Sequence, residues 1–304
     1  MKRAVVFAYH NVGVRCLKVL AARGIDIALV VTHHDNPAET IWFESVAALC
    51  DEMGIPWIAP DNPATPELHA QVAAAQPDFI FSFYYRHMLP AAVLELAPRG
   101  AYNLHGSLLP KYRGRVPVNW AVLHGETETG ATLHEMTAKP DAGAIIAQTM
   151  VPILPDDTAF EVFGKLTVAS EQTLWQALPG LIAGNAPRLP NDLAQGSYFG
   201  GRKPEDGRID WTRPAHEIYN LHRAVAPPYP GAWTVLDGRT LVLARARMAA
   251  GSYPGKAGLA LHDGQLLGIG GDGRALRIIE LLENGRSLDM AQLQSLLASS
   301  TPEA

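Results

Sequence analysis

Short apolar, β-branched and aromatic runs alternate with helix-length amphipathic stretches along the first third of the chain. Ala4–Ala8, Ile25–Thr32, Pro56–Ala59, Phe79–Phe83 and Ala101–His105 hold few polar residues and predict strands. Between them, Val14–Arg23, Ser45–Met53, Glu67–Gln76 and Pro90–Leu96 predict helices, with stop signals at Gly24 and Gly54. Strands without a polar face, separated by helices, imply a mostly parallel sheet covered on both sides. Its connections are then right-handed crossovers.

Beyond His105 the pattern changes. Val118–His124 predicts a helix, and Ala131–Met136 and Ile145–Ile153 predict strands with no helix between them. Asp156-Asp157-Thr158 caps a long helix reaching Ile182 and closed by Gly184-Asn185. Residues 186–206 are rich in Pro, Gly and polar side chains and predict a linker. Further on, Ala232–Leu236 and Thr240–Ala246 flank Asp237-Gly238, a hairpin signal. Gly258–Leu261, Leu266–Gly268 and Leu276–Glu280 add short strands, and Met290–Ala298 a terminal helix. The expected architecture is α/β: an open, mostly parallel, Rossmann-like sheet with helices on both faces over residues 1–185. A small OB-like β-barrel follows over residues 207–304.

Composition narrows the function classes. Hydrophobic residues make up 48% and charged residues 18% of the 304, the balance of a folded soluble protein. A formal charge of −5 supplies no global attraction to nucleic acid or to an anionic membrane. Cys16 and Cys50 fall in separate predicted helices and indicate no disulfide framework. The N-terminal apolar run is too short for a secretion signal, and no window of about 18 apolar residues suggests a membrane span. A cytoplasmic protein is expected.

Ligands of an open parallel sheet gather beyond the carboxyl ends of its strands, where His10, His33, His87 and His105 fall. The first βα turn, Tyr9–Gly13, holds one glycine rather than the three of a dinucleotide fingerprint, and no phosphate-binding P-loop occurs. Nicotinamide and flavin chemistry are therefore disfavoured. Asn103 and His105, two residues apart in a strand, project to one face. A carboxylate reaching that imidazole would fix its tautomer, and Asp141, in the loop Pro140–Gly143, is the candidate. Lys111, Arg113 and Arg115 place three cations beside the strand end, suited to a ligand's carboxylates or phosphates. His33-His34-Asp35 lacks a third ligand at metal-binding spacing, so no metal site is expected. His124 and His134 read as structural, and the aromatics of Ser82–Leu89 as core and rim packing.

Taken together, Asn103–Pro110, Tyr112-Arg113-Gly114, Gly125–Gly130 and Asp141-Ala142-Gly143 resemble the folate-dependent formyltransferases. The similarity runs on through Ile209-Asp210-Trp211 and Tyr229–Ala232. Phe7–His10, Thr32-His33, Asp35-Asn36-Pro37, Ala59–Asn62 and Phe81–His87 look like the formyltransferase part of the bifunctional enzyme acting on UDP-4-amino-4-deoxy-L-arabinose. The resemblance implies that Asn103 stabilises an oxyanion, that His105 moves the proton, and that Asp141 raises the His105 pKa. It places His87, Met88 and Leu89 on the pterin of 10-formyltetrahydrofolate, with Arg115 and Thr137, Ala138, Lys139 and Pro140 completing that pocket. Pro140 departs from the pattern and removes a backbone N–H before Asp141. The implied function is formylation of the sugar 4-amine, serving lipid A modification and resistance to cationic peptides, with formyl folate as co-substrate and neither metal nor NAD.

Three rivals share parts of this reading. A methionyl-tRNA formyltransferase needs Lys and Arg for an acceptor stem, whereas His34–Glu39 contains none. A non-catalytic folate- or nucleotide-binding regulator would not need the complete Asn103, His105 and Asp141 set. An enzyme for another nucleotide-linked amino sugar, such as a dTDP-sugar, is the alternative that the residues separate least.

Overall fold

The computed structural model describes residues 1–37 and 39–299. Packing divides the chain into two compact units. The first holds residues 1–117, 128–152 and 163–200, and the second holds 118–127, 153–162 and 201 onward.

In the first unit β1 (Arg3–Ala8), β2 (Asp26–Val31), β3 (Trp57–Ile58), β4 (Phe79–Phe83) and β5 (Ala101–His105) run parallel. After the two-residue strand β6 (Arg113–Gly114), β7 (Glu128–Glu135) runs antiparallel to β5 and β8 (Ile145–Pro152) antiparallel to β7, giving the order β3-β2-β1-β4-β5-β7-β8. Strand order thus reverses between β1 and β4. Helices α1 (His10–Ala22), α2 (Val46–Met53), α3 (Pro66–Ala74) and α4 (Ala91–Leu94) form the crossovers, and α5 (Pro117–Leu123) and α6 (Ala159–Ala183) follow β6 and β8.

Local chemistry sets these boundaries. Ser45 Oγ accepts the Ala48 N–H at 3.2 Å to start α2, and Gly54, at φ 65°, ends it. Thr65 Oγ1 does the same for Leu68 N–H at α3, with Pro66 as the first helical residue. At α6, Thr158 Oγ1 accepts the Glu161 N–H while Glu161 Oε2 accepts the Thr158 N–H, a reciprocal cap. Every residue of β4 is buried because the sheet is covered on both faces. Phe79, Phe81 and Phe83 stack down one side, and Ile80 joins Val5, Phe7, Leu29, Val31 and Leu68 on the other. Each of these side chains contributes roughly 2 kcal/mol of burial. Cys16 and Cys50 are buried free thiols.

The second unit is built on β10 (Ala232–Leu236), β11 (Arg239–Met248), β12 (Gly258–His262), β13 (Gln265–Ile269), β14 (Ala275–Glu283) and β15 (Arg286–Ser287). Its sheet is antiparallel in the order β10-β11-β14-β13-β12, with β15 on β14. The expected barrel takes the form of a curled half-barrel, bent where the β11–β14 register slips between Leu243 and Ala246. Asp237 and Gly238 both adopt positive φ, as the tight hairpin requires. Among the described residues no helix is long and apolar enough to cross a membrane.

Two parts of the chain differ from the sequence reading. The stretch 186–206 carries β9 (Tyr198–Phe199), which pairs in parallel with β6, and short helical turns at Leu193–Gln195 and Pro204–Gly207. A helix absent from that reading, α7 (Ala215–Val225), packs on β11. Polar residues interrupt its apolar face, yet His222 and Arg223 are buried. His222 Nδ1 donates to Leu243 O at 3.2 Å, and Arg223 donates to Asp157 O at 3.1 Å. The terminal helix is α8 (Met290–Ser299).

Burial holds His222 neutral, with its pKa pushed down to about 4. Between that value and the ordinary value near 6.5, the unfolded chain takes up a proton that the fold refuses. Stability is therefore lost as pH falls through this window, by on the order of 3 kcal/mol for this one ring. Denaturant unfolding at pH 7.5 and 4.5 checks this: His222→Gln should show a smaller acid loss than the parent. Equal losses would contradict it.

Candidate active site

The carboxyl ends of β4 and β5, with the turn between β7 and β8, bring the singled-out residues into one neighbourhood. β5 presents Asn103 and His105 on one face. Its antiparallel register against β7 sets Asn103 opposite His134 and His105 opposite Thr132. The β7–β8 loop carries Asp141 back to this face, where its Oδ1 lies 3.5 Å from His105 Nδ1 and 3.4 Å from His134 Nε2. Asp141 itself sits at φ 49°, in the left-handed region.

Hydrogen bonds fix the protons. His105 Nε2 lies 2.8 Å from Tyr112 O, and a carbonyl only accepts, so Nε2 carries the proton and Nδ1 turns its lone pair toward the carboxylate. His134 Nδ1 likewise donates to Glu135 O at 2.8 Å, and its Nε2 accepts from Asn103 Nδ2 at 3.0 Å. Among the described residues no protein acceptor takes the second N–H of the half-buried Asn103 amide. Asp141 Oδ2 accepts the Gly114 N–H at 2.8 Å. Position 114 needs glycine: φ is +97°, and a Cβ there would lie 2.1 Å from Phe199 O.

Burial lowers the pKa of His105, against the upward pull of Asp141 and of the Tyr112 carbonyl. Burial would raise the Asp141 carboxyl, but the facing His105 and the Gly114 amide outweigh it and hold it well below the usual carboxylate range. The imidazolium helps only at pH values where His105 is charged, whereas the amide bond acts at every pH. The resting pair at neutral pH is therefore a neutral imidazole beside an anionic carboxylate, ready to stabilise a proton arriving at Nδ1.

The loop of residues 106–116 is equally determined. Ser107 Oγ donates to Lys111 O at 2.6 Å. Thr132 Oγ1 donates to Ser107 O at 2.6 Å and accepts the Leu109 N–H at 3.1 Å. Gln148 Nε2 donates to Leu109 O at 2.9 Å. Of the three cations here, Arg113 is buried with its guanidinium 6.0 Å from the Tyr198 ring, which leaves Lys111 and Arg115 exposed.

The other strand-end histidines are occupied differently. The His10 ring stacks on Phe43 at 3.9 Å and packs against Trp42, and burial pushes its pKa down to about 3. His33 Nε2 accepts the Arg86 N–H at 3.1 Å, and burial lowers this ring to about 4. Asp35 accepts from Tyr9 OH at 2.7 Å. Among the described residues no three His, Cys, Asp or Glu side chains converge as metal ligands. His87 and Met88 are exposed after β4, whereas the Leu89 side chain belongs to the apolar core. Thr137, Ala138 and Lys139 are exposed after β7, Pro140 is half-buried, and Thr137 Oγ1 donates to Lys139 O at 2.9 Å.

His134, read as structural, is buried in β7 and touches both Asn103 and Asp141, contacts that the sequence reading did not name. Its signal lay in the β5–β7 register, which sequence periodicity does not supply.

The sequence model of the formyl transferase family matches residues 2–178, and that of the formyl transferase C-terminal domain matches residues 202–295. The chain belongs to the formyl transferase family. Solved structures of similar fold include an N-formyltransferase from Helicobacter canadensis in complex with folinic acid and dTDP-3-aminofucose. It is 18% identical, with a TM-score of 0.73, and the match covers 91% of this chain and 99% of that one. WlaRD, a sugar 3N-formyl transferase in the presence of dTDP and 5-N-formyl-THF, gives 18% identity and a TM-score of 0.72 over 94% and 99% of the two chains. HypX from Aquifex aeolicus, in complex with tetrahydrofolic acid, gives 20% and 0.65 over 96% of this chain but 46% of that one. In this formyl transferase the strand-end cluster combines the Asn103 amide, the His105 imidazole and the Asp141 carboxylate.

Proposed function

We propose that this formyl transferase moves the formyl group of 10-formyltetrahydrofolate to the amine of a nucleotide-linked amino sugar. The carrying observation is the meeting of Asn103, His105 and Asp141 at the end of β5. The sugar amine attacks the formyl carbon, forming a C–N bond and an oxyanion. The spare Asn103 N–H donates to that oxyanion, a contribution on the order of 10²–10³ in rate. His105 Nδ1 takes the proton released by the amine, and the Asp141 carboxylate stabilises the resulting imidazolium. Collapse of the intermediate breaks the bond from carbon to folate N10, which takes the proton back from His105. Atoms and charge balance with no redox partner. His87, Met88 and the Leu89 backbone, with Arg115 and residues 137–140, are the proposed folate contacts.

The finer proposal is the 4-amine of UDP-4-amino-4-deoxy-L-arabinose, with lipid A modification as its purpose and the cytoplasm as its place. It rests on the likeness of Phe7–His10, Asp35–Pro37 and Phe81–His87. A dTDP-linked amino sugar is the second reading, favoured by the ligands of the two sugar-enzyme structures of similar fold. The deciding experiment incubates the protein with 10-formyltetrahydrofolate and a panel of UDP- and dTDP-linked amino sugars, with initiator methionyl-tRNA as a further arm, and reads products by mass. Formylation of the UDP-linked 4-amine alone is expected. Formylation of tRNA, or of no sugar, would overturn the reading.

A further inference from the structure

The chain after α6 returns to the site as a clasp. Leu189 and Ile145 exchange both backbone bonds, at 2.8 and 2.9 Å, anchoring it beside the start of β8. Asn191 Nδ2 then donates to Asp141 O at 3.0 Å and to Gly143 O at 3.1 Å, spanning the turn that carries the carboxylate. Gly196 passes so close to Pro110 that a Cβ would lie 2.2 Å from its carbonyl. Ser197 Oγ accepts the Tyr112 N–H at 2.9 Å, and Ser197 O accepts the Arg113 N–H at 3.0 Å. β9 pairs with β6, setting Phe199 beside Gly114.

None of these residues contacts the His105 ring in any described interaction, yet they bond to the groups that orient it. His105 Nε2 is held by the carbonyl of Tyr112, whose amide is held by Ser197. Asp141 is held by the Gly114 amide, set by β9, and its own main chain is held at positive φ by Asn191. We infer that Asn191 and Ser197 are positioning residues, fixing the Asp141 turn and the Tyr112 peptide so that carboxylate and imidazole stay in register. The donor is the working part of Asn191, because its two partners are carbonyls and its Oδ1 has no partner among the described residues. The inference rests on the functional reading above, since a clasp around His105 matters to turnover only if His105 moves the proton.

The titratable groups facing His105 are Asp141 from the β7–β8 loop and His134 from β7. If the clasp loosens, Asp141 withdraws and the imidazolium loses its partner. Asn191→Ala and Asn191→Asp should then lower kcat on the order of tenfold to a hundredfold with KM for both substrates nearly unchanged. Asn191→Gln, which keeps the amide donor, should recover most of the loss. Ser197→Ala should behave like Asn191→Ala, and Ser197→Thr should restore activity. Histidine-selective NMR titration of the full-length protein without substrate should show the His105 pKa lower in Asn191→Ala than in the parent. That readout is independent of activity and of any structural loss in Asn191→Asp.

An unshifted His105 titration, or a kcat loss matched by the fraction unfolded, would overturn the inference. His105→Ala in the same assays separates the two levels. If it keeps full turnover, the functional reading fails; if it abolishes turnover while the Asn191 variants stay unaltered, only the clasp fails.

Discussion

His105→Ala is expected to reduce turnover by about 10²–10⁴-fold while leaving the fold intact, because it removes the acceptor of the amine proton. Fold retention follows from what remains. The loop after β5 keeps the bond from Ser107 Oγ to Lys111 O at 2.6 Å, and Asp141 keeps the Gly114 amide. The ring closes β5 without bridging the apolar clusters that carry the sheet. A variant keeping more than about a tenth of the parental rate, in steady-state assays with saturating formyl folate, would remove His105 from its role. The parent has a matching pH signature. His105 must be neutral to accept a proton, and burial lowers its pKa. Activity is therefore present above that lowered value and lost only as pH falls through it, so the acid limb of kcat/KM should lie below the ordinary histidine value near 6.5.

Asn103→Asp is expected to cost at least as much as loss of a single oxyanion donor, on the order of 10³ in kcat. The replacement has nearly the same shape. Its carboxylate has no N–H to offer the oxyanion and adds a negative charge where one develops in the reaction. It also brings like charge toward Asp141 across the shared His134 ring, which costs stability. Measurement of kcat alongside the melting temperature distinguishes the two effects. A large kcat loss with a modest thermal shift is the expected pair, and a thermal shift alone would contradict the oxyanion role.

The sheet was legible because its strands are buried on both faces. Phe79–Phe83 has no polar side to confuse the period, and Ser45, Thr65 and Gly54 mark the helix ends they occupy. Asn103 and His105 could be placed on one face from their spacing, and Asp141 was named as the carboxylate. Pairing information was absent from the sequence. The alignment of His134 with Asn103 depends on the β5–β7 register, which local periodicity does not determine. The clasp escaped for a related reason: Asn191, Gly196 and Ser197 act through long-range bonds to main-chain groups, and a Gly- and Pro-rich stretch shows no period while doing so. Helix α7 was missed because His222 and Arg223, which look like surface residues, are buried with backbone carbonyls as partners. Of the basic run, Arg113 is buried beside Tyr198 while Lys111 and Arg115 are exposed, a division that the charge pattern alone does not give.

The most direct test is a crystal structure of the protein with 5-formyltetrahydrofolate and an unreactive nucleotide-sugar analogue. The account predicts the formyl oxygen within about 3 Å of Asn103 Nδ2, the distance an oxyanion donor requires. It also predicts His105 Nδ1 within proton-transfer reach of the sugar nitrogen, with Asp141 still beside it. A folate bound with its formyl group away from the end of β5, or an Asp141 turned from His105 in the complex, would contradict it.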